Sequence, residues 1–477
     1  MASVTSFVGQ YNEGNGSSVN SPFIANTTGA LGMQEISAIL KQIYDGQKLA
    51  KLYYTNNPLF AMIRKKTDFY GETYPLPTIF ETNSGMSNVF ANAQLPNQLI
   101  NGGSGTGGNL GPAKFAKFFL TRASVYGVYV IDRQAMLSAS NDIGAFVNGQ
   151  MAQMDAAVQG LSNLMSQQLY RSGSGSIGVI STIGTVGTGI IQLTNPSDAR
   201  YFTVGQVMYA TDVDPVKGAT VTQRAGIGYV VSVNRGLGQV TVGNAAAANP
   251  LTPADPSAWV AGDYMQISGT SPLFGPTVSG AQEPVAITGL AAWLNNPANI
   301  PSNDVFFGVN RSQDPWRLGG GYYDGSQNGQ SVEEALYDGS TQLFMEGGSP
   351  DICFVGPNAY AALQKSCAAR QIYQTDIDGP QDEHGVAHIF FKGITIQGAG
   401  SVFTVIADRN CPPYTAYLLT MKDFALYSLK EAPHIVDDDG VSFLRSTSAD
   451  SFEWRLAAYC QLGCSAPGHS MYVKLSV

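Results

Sequence analysis

The longest periodic pattern of apolar residues in the chain lies between residues 141 and 171. Its apolar positions form one stripe at helical spacing: Ile143, Phe146, Val147, Met151, Met154, Val158, Leu161, Leu164, Met165 and Leu169. Ser140 or Asn141 can cap the first turn, and Asp142 lies at the positive end of the helix dipole. The pattern therefore predicts one amphipathic helix, about 45 Å long, that serves as a strut and ends at residues 172–176.

An extended arm precedes this helix. Residues 67–77 are typical of an outgoing strand, and residues 115–131 of the returning strand, because β-branched and aromatic side chains dominate both ends. The tip between them, residues 101–109, is rich in glycine and predicts a flexible connection. The whole arm, 67–131, has no evident core of its own, so we expect it to lie across a neighbouring molecule.

The N-terminal region carries one helical pattern. Residues 1–30 are rich in Ser, Asn and Gly, and we expect them to be mobile or held only by partner molecules. From residue 34 to about residue 54, apolar side chains recur at helical spacing and predict a helix. Pro58 then helps to end this helix.

Short apolar segments separated by turn residues fill residues 177–286. The predicted strands lie at 189–193, 206–210, 228–233 and 239–242. Residues 235–238, which include two glycines, predict a tight connection between the last two of these strands. Several short strands at this spacing favour a small β-barrel or sandwich, inserted between the long helix and the rest of the chain.

From residue 287 onward, helical and strand patterns alternate. Ser331 and Glu334 form a capping box that predicts a helix over 332–346, which two glycines end. Pro357, at a first-turn position, opens a second predicted helix that ends near residues 365–370. Strands are predicted at 351–355, 388–396, 402–407, 416–419, 426–429, 452–462 and 471–477.

The composition predicts a surface that is polar but weakly ionic. Charged residues make up 13% of the 477 residues, and glycine is frequent at 54 residues, whereas typical proteins have about 25% charged residues. Such a surface can be buried against other subunits without leaving many charges unpaired, each of which would cost several kcal/mol. Assembly is therefore the expected role, and an ordinary glycine-rich globular protein is the alternative.

The net charge of −9 argues against a protein that grips nucleic acid, because phosphate binding needs clustered Lys and Arg. It is compatible with a protein that encloses nucleic acid without holding it. No apolar run approaches the roughly 18 residues of a membrane helix. The first residues lack the basic and apolar regions of a signal peptide, so synthesis and action in a cytosol are expected.

The cysteines are confined to the C-terminal part of the chain, at Cys353, Cys367, Cys411, Cys460 and Cys464. In a reducing cytosol they are expected to be free thiols in a core. Cys460 and Cys464 are spaced as a C-x3-C pair, but no second pair of Cys or His lies at zinc spacing nearby. A structural zinc ion is therefore not expected.

No motif predicts a catalytic, cofactor or metal site. Residues 103–108 match the glycine pattern of a dinucleotide-binding loop, but a strand rather than a helix follows them. His384 and His388 have metal-like spacing, yet on a strand they would lie about 13 Å apart. Residues 437–439 are three aspartates without the distal Glu of a calcium loop, and residues 376–380 read as an acidic turn.

Lys114 and Lys117, at the start of the returning strand, allow two interpretations. One is a self-formed isopeptide bond between a lysine and an asparagine of a neighbouring subunit. The other is a pair of exposed lysines that protect a strand edge from aggregation. We favour the second interpretation, because exposed lysines are a common protection of strand edges.

Taken in order, these elements resemble the major capsid proteins of tailed bacteriophages, the family with the HK97 fold. The resemblance covers roughly residues 30–176 and 287–477. Three segments of the C-terminal half carry it most directly, namely residues 287–294, 354–363 and 417–426. The resemblance implies an α+β capsid fold, to which residues 177–286 add a β-rich insertion that the minimal fold lacks.

The layout of this family implies five parts. They are an N-terminal arm (1–66), an extended loop (67–131), a spine helix with the start of the peripheral domain (132–176), the β-rich insertion domain (177–286), and the peripheral and axial domains (287–477). The N-terminal arm lacks a long charged helix that could serve as an internal scaffold. A separate scaffolding protein is therefore the expected partner.

The function that the resemblance implies is structural and not enzymatic, with no cofactor. Hexamers and pentamers would form an icosahedral phage head that encloses double-stranded DNA, after assembly in the bacterial cytoplasm. A portal and a decoration protein are further expected partners, and no membrane is. The alternatives are a β-rich tail or fibre protein built around 177–286, an encapsulin-like cargo shell, and a hydrolase, against which the missing nucleophile motif weighs.

Overall fold

The structure is a computed structural model. It describes residues 57–83, 85–90, 93, 112–133, 149–183, 189–212, 214, 222–224, 226, 228–244, 259–267, 277–278, 281–282, 286–296, 305–327, 329–368, 394–437, 444–445 and 450–476. Several predictions lie outside the described residues, among them those for residues 1–30, the helix at 34–54, the glycine-rich tip at 101–109, and the start of the long helix with its caps at 140–148.

Helices and strands are interspersed along the described chain, which confirms the α+β class. The α-helices are α1 (Pro58–Met62), α2 (Gly149–Gln168), α3 (Leu290–Trp293), α4 (Pro315–Gly319), α5 (Val332–Met345) and α6 (Pro357–Ala368). Short 3-10 helices occupy Pro196–Tyr201, Arg311–Gln313, Met421–Asp423 and Pro467–His469. Among the helices that the structure describes, none is both long enough and apolar enough to span a membrane.

The strands of the described residues are short except for β2, β4 and β23. They are β1 (Arg64–Lys66), β2 (Thr73–Glu81), β3 (Lys114–Thr121), β4 (Ala123–Asp132), β5 (Ser176–Ile183), β6 (Ile190–Leu193), β7 (Val207–Thr211), β8 (Gly228–Asn234), β9 (Gln239–Asn244), β10 (Tyr264–Ile267), β11 (Thr277–Val278), β12 (Ala281–Gln282), β13 (Val305–Phe306), β14 (Val309–Asn310), β15 (Gly321–Asp324), β16 (Ile352–Val355), β17 (Ile394–Gln397), β18 (Val402–Ala407), β19 (Thr415–Leu419), β20 (Phe424–Ser428), β21 (His434–Ile435), β22 (Leu444–Arg445), β23 (Ser451–Cys464) and β24 (Met471–Lys474).

A six-stranded mixed sheet forms the C-terminal core, in the order β15-β24-β19-β16-β18-β17. Helices α5 and α6 pack on one face of it through the buried side chains of Leu336, Leu343 and Leu363. On the opposite face, Phe354 and Tyr417 belong to a larger core that includes α2. The sheet is therefore covered on both faces, as its apolar strands require.

Helix α5 confirms the capping box. The hydroxyl of Ser331 accepts from the amide of Glu334 at 3.3 Å, and the carboxylate of Glu334 accepts from the amide of Ser331 at 3.0 Å. Gly347 follows the helix at φ 87°, a conformation that favours glycine. The predictions for α6, β16, β18, β19, β20 and β24 are also confirmed, with shifts of a few residues at their ends; of the strand predicted at 388–396, only its end at 394–396 is described.

Strand β23 is the centre of a second sheet, in which β1, β20, β23 and β21 lie in order while β4 and β22 also pair with β23. Within 452–462 the even-numbered positions are apolar and the odd ones mostly polar, which predicts alternating burial. The alternation holds at the start of the strand, where Trp454 and Leu456 are buried and Arg455 is exposed. Toward Cys464 both faces are covered, because strands β2 and β3 pack over this end and place Leu120 against Gly463. Alternation therefore describes only the first part of the strand.

Helix α2 confirms the predicted long helix over the part that the structure describes, Gly149–Gln168. On its predicted stripe, Leu161 and Met165 are buried in the main core. Val158 was expected on the same stripe but is 38% exposed. The stripe is thus narrower than the sequence indicates.

The C-terminal end of α2 is fastened to the chain that returns from the insertion. The amide of Gly289 donates to the carbonyl of Arg171 at 3.0 Å, and the amide of Leu290 donates to that of Leu169 at 2.7 Å. The α-helix ends at Gln168 rather than at residue 171, because the amides of Tyr170 and Arg171 donate to carbonyls three residues back, at 3.2 and 3.0 Å, in a tighter final turn.

Residues 176–267 contain a closed barrel with strand order β10-β5-β6-β9-β8-β7. Of the two predicted architectures, barrel and sandwich, the barrel is confirmed. The tight connection predicted at 235–238 joins β8 to β9, with Gly238 at φ 67°. The two ends of the inserted segment meet, since a Cβ atom placed on Gly173 would lie 3.2 Å from the Cα atom of Thr288.

Two expectations for the arm are wrong. The return is not one strand but two, β3 and β4, which separate at Arg122 because β4 pairs with β23 and β3 with β2. The base of the arm also does not lack a core in its own chain, since Leu76, Phe80, Phe118 and Leu120 are buried in the main core. The sequence does not reveal which face is buried in this core, because both faces of β2 and β3 carry apolar residues.

The cysteines with described side chains, Cys353, Cys411, Cys460 and Cys464, are free and buried, as expected. Burial raises the pKa of Cys411 and of Cys460 to about 12. A thiolate is the reactive form of cysteine, so both groups are unreactive at neutral pH. These cysteines therefore act as small apolar core residues.

Gly289→Ala is expected to lower the thermal unfolding midpoint and to cost about 2–3 kcal/mol. The reason is that the new Cβ atom would lie 2.3 Å from the carbonyl oxygen of Leu169, whose backbone cannot retreat. Gly236→Ala is the matched control, because its Cβ atom would meet only the Asn234 side chain at 3.6 Å. Differential scanning calorimetry of both variants checks this, and equal midpoints would contradict it.

Candidate assembly surface

Strands β2 and β3 form a two-faced antiparallel ribbon, called here the ribbon. Its register pairs Ile79 with Phe115 and Leu76 with Phe118. Side chains alternate between the faces of a strand, so these two pairs lie on opposite sides. The inner face is buried, while the outer face is exposed and consists of Pro75, Pro77, Ile79, Phe115, Lys117 and Phe119.

The inner face is held firmly by the C-terminal part of the chain. The Phe118 ring meets the Trp293 ring edge to face, with centroids 5.2 Å apart. The amide of Phe119 donates to the carbonyl of Phe307 at 2.8 Å, and Arg317 donates to the carbonyl of Phe80 at 2.9 Å. The ribbon is thus part of the folded core, and its outer face has a fixed orientation.

The outer face is unusually apolar for a surface. Ile79 is 64% exposed and Phe115 is 69% exposed, although they are cross-strand neighbours on the same face. Burying side chains of this size is worth about 1.5–3 kcal/mol each. Clustered exposed apolar residues mark interaction sites, so this face is the candidate surface for contact with another molecule.

The two candidate lysines lie on the ribbon but differ in their surroundings. Lys114 forms an ion pair with Glu81 on the opposite strand of its own ribbon. The ammonium group of Lys117 lies over the ring of Phe119, 5.3 Å from its centroid. Both side chains are exposed, so either interpretation of their role stays a prediction.

The other candidate groups do not converge. His469 lies 3.0 Å from a carboxylate oxygen of Asp423, and His434 lies 2.8 Å from the carbonyl of Glu431 on an exposed turn. Within the described part of the chain, no group of three or more His, Cys, Asp or Glu side chains is arranged to hold a metal ion. Residues 103–108, 376–380, 384, 388 and 438–439 lie outside the described residues.

Sequence reasoning missed a buried polar junction beside the long helix. The carboxylate of Asp408 accepts from the hydroxyl of Tyr170 at 2.8 Å. The side-chain amide of Asn410 donates to the hydroxyl of Ser166 at 2.8 Å and to the side chain of Asn57 at 3.2 Å. Burial and the neighbouring carboxylate raise the pKa of Tyr170 well above its ordinary value, so the phenol stays a donor.

No protein-family model matches the sequence, and no curated protein matches it. Among solved structures, the chain is similar to the capsid asymmetric unit of cyanophage A-1(L), with a TM-score of 0.48 and 10% identity, covering 91% of this chain and 97% of that one. It is similar to the capsid of a native GTA particle, with a TM-score of 0.43 and 8% identity, covering 96% and 100%. It is also similar to the holo-SrpI encapsulin complex from Synechococcus elongatus PCC 7942, with a TM-score of 0.41 and 8% identity, covering 93% and 96%.

On denaturing electrophoresis, assembled material is expected to run as a single band at the monomer mass. Lys114 is engaged with Glu81 of its own ribbon, which leaves it poorly placed to attack a neighbouring subunit. Lys114→Ala and Lys117→Ala serve as controls and should give the same single band. A ladder of bands that one of these substitutions abolishes would instead establish an isopeptide bond.

Proposed function

We propose that this chain is a structural major capsid protein of a tailed bacteriophage with an HK97-like fold. Its copies would self-assemble as hexamers and pentamers into an icosahedral head that encloses double-stranded DNA. The observation that carries the proposal is the ribbon, because its apolar outer face is held in a fixed orientation yet covered by no described part of the chain. A second copy of the chain is the occupant that a closed shell would supply.

The five parts expected from the sequence enter this proposal as its domains. The arm (1–66) and the extended loop (67–131) would reach neighbouring subunits, and the spine segment (132–176) would brace the subunit. The insertion (177–286) would stabilise a capsomer, carry decoration or face solvent. The C-terminal part (287–477) would supply the peripheral and axial domains. The buried inner face of the ribbon supports such a layout, since it joins the loop firmly to that C-terminal part.

The proposed partners follow from this function. They are other copies of the chain, a separate scaffolding protein, a portal and a decoration protein, in a virion assembled in the bacterial cytoplasm. The net charge of −9 supports enclosure of DNA without strong binding, because a weakly charged acidic wall repels phosphates. No enzymatic activity and no cofactor belong to the proposal.

Negative-stain microscopy of the purified protein, alone and with a candidate scaffolding protein, tests the proposed capsid function. Closed shells, tubes or rings would support this function, and a monomer under all conditions would overturn it.

Replacing both Ile79 and Phe115 with serine is expected to raise the protein concentration needed for assembly at least tenfold. The fold should survive, because the two side chains are 64% and 69% exposed in the subunit, whereas the contact loses two buried apolar groups. Light scattering against protein concentration gives the measurement. Leu237→Ser is the control, since Leu237 is equally exposed, at 60%, on the barrel. A similar effect in both variants would contradict the proposed contact between the outer face of the ribbon and a neighbouring subunit.

Deleting residues 101–109 is expected to leave folded subunits that form few or aberrant shells. The glycine-rich tip joins the two strands of the arm and would let one chain fit several local curvatures. Circular dichroism establishes folding, and microscopy of the shells gives the result. A replacement of the same segment by a glycine-serine linker of equal length should restore assembly. Normal shells from the deletion itself would refute the role of the tip.

A further inference from the structure

A cleft of about 830 Å³ opens where α2, the barrel and the loop after β18 meet. Arg200 and Arg235 of the barrel and Arg409 of the loop line it. Donor and acceptor side chains complete the lining, among them Asn163, Gln167, Gln206 and Asn410. No Asp or Glu occurs among the described residues that line the cleft, although acidic residues outnumber basic ones in the chain, 35 to 26.

Two of these guanidinium groups are bound by backbone carbonyls of the same short segment. Arg409 donates to the carbonyl of Arg200 at 3.4 Å, and Arg235 donates to the carbonyl of Phe202 at 3.3 Å. Arg200 and Phe202 are two residues apart, so their Cα atoms are at most about 7 Å apart. The guanidinium groups of Arg409 and Arg235, which bind their carbonyls, therefore lie along one wall of the cleft. The Nε atom of Arg200, in the same wall, is buried and forms no hydrogen bond with the described residues.

Two buried carboxylates near this wall are engaged by other groups. Asp198 accepts from Arg171 at 3.3 Å and also attracts Arg200. Asp408 accepts from the hydroxyl of Tyr170 and from the amide of Asn410 at 2.9 Å. A third carboxylate, that of Asp214, also attracts Arg171. No carboxylate occurs among the described lining residues, so Arg200, Arg235 and Arg409 are the charged groups that line the cleft.

We propose that this cleft binds a phosphate group, either free phosphate or the terminal phosphate of a larger ligand. A phosphate monoester carries between one and two negative charges near pH 7, more than a single carboxylate, which suits a cleft lined by three arginines. The forked donors of arginine suit phosphate oxygens, and the volume is that of a small-ligand site. A DNA duplex is too wide to enter it, so the site is distinct from any enclosure of packaged DNA.

Isothermal titration calorimetry on the full chain at fixed ionic strength tests the proposal. Inorganic phosphate should bind saturably at one site per chain, and Arg235→Gln should weaken this binding at least tenfold. Arg235 is exposed, so the substitution should leave the fold intact, which circular dichroism checks. Arg445→Gln removes an equal charge from an exposed strand away from the cleft and should change the affinity less than twofold.

A ten-nucleotide oligothymidine, with and without a 5′-phosphate, distinguishes the source of the ligand. Competition by the phosphorylated form alone would assign the site to nucleic-acid ends, and competition by neither would assign it to free phosphate. Citrate binding as tightly as phosphate, or an equal loss in Arg445→Gln, would overturn the proposal. So would a structure of the wild-type protein soaked in tungstate that shows this electron-dense oxyanion elsewhere but not in the cleft.

Discussion

The buried carboxylate of Asp408 is the point on which the arrangement of the subunit depends. It holds Tyr170, just beyond α2, and the amide of Leu59 in α1 against the end of β18. A buried charge that loses its partners costs several kcal/mol, so this contact fixes where the long helix ends relative to the C-terminal sheet. The chain enters the barrel from that end of the helix, and the returning chain is hydrogen-bonded to the same end. The positions of both therefore follow from it.

Local signals in the sequence were sufficient to predict helix α5 and the barrel. The capping box of Ser331 and Glu334 fixes the start of α5 within one turn, and the spacing of turn residues reveals the barrel. Asp408 gave no such signal, because a lone Asp after a strand reads as a loop residue until the fold brings Tyr170 to it. The two strands of the arm return were likewise indistinguishable, since only their partners, β2 and β23, separate them at Arg122.

The ribbon shows why a contact surface can be apolar without leading to collapse of the subunit. Its inner face, with Phe118 against Trp293, is fully used by the core, which leaves no freedom for the outer face to turn inward. A surface that is already ordered loses little conformational entropy when it binds. Phe115 and Ile79 are therefore presented in the conformation in which a neighbour would meet them.

Gly173 and Thr288 lie side by side, so the segment between them can be exchanged without moving the rest of the fold. Because the segment between them leaves and re-enters the subunit at one place, its length is not constrained by the rest of the structure. A foreign domain with adjacent termini could replace the barrel without stretching α2 or the C-terminal sheet. The chain thus has a natural grafting point, where evolution or an engineer can exchange one module for another.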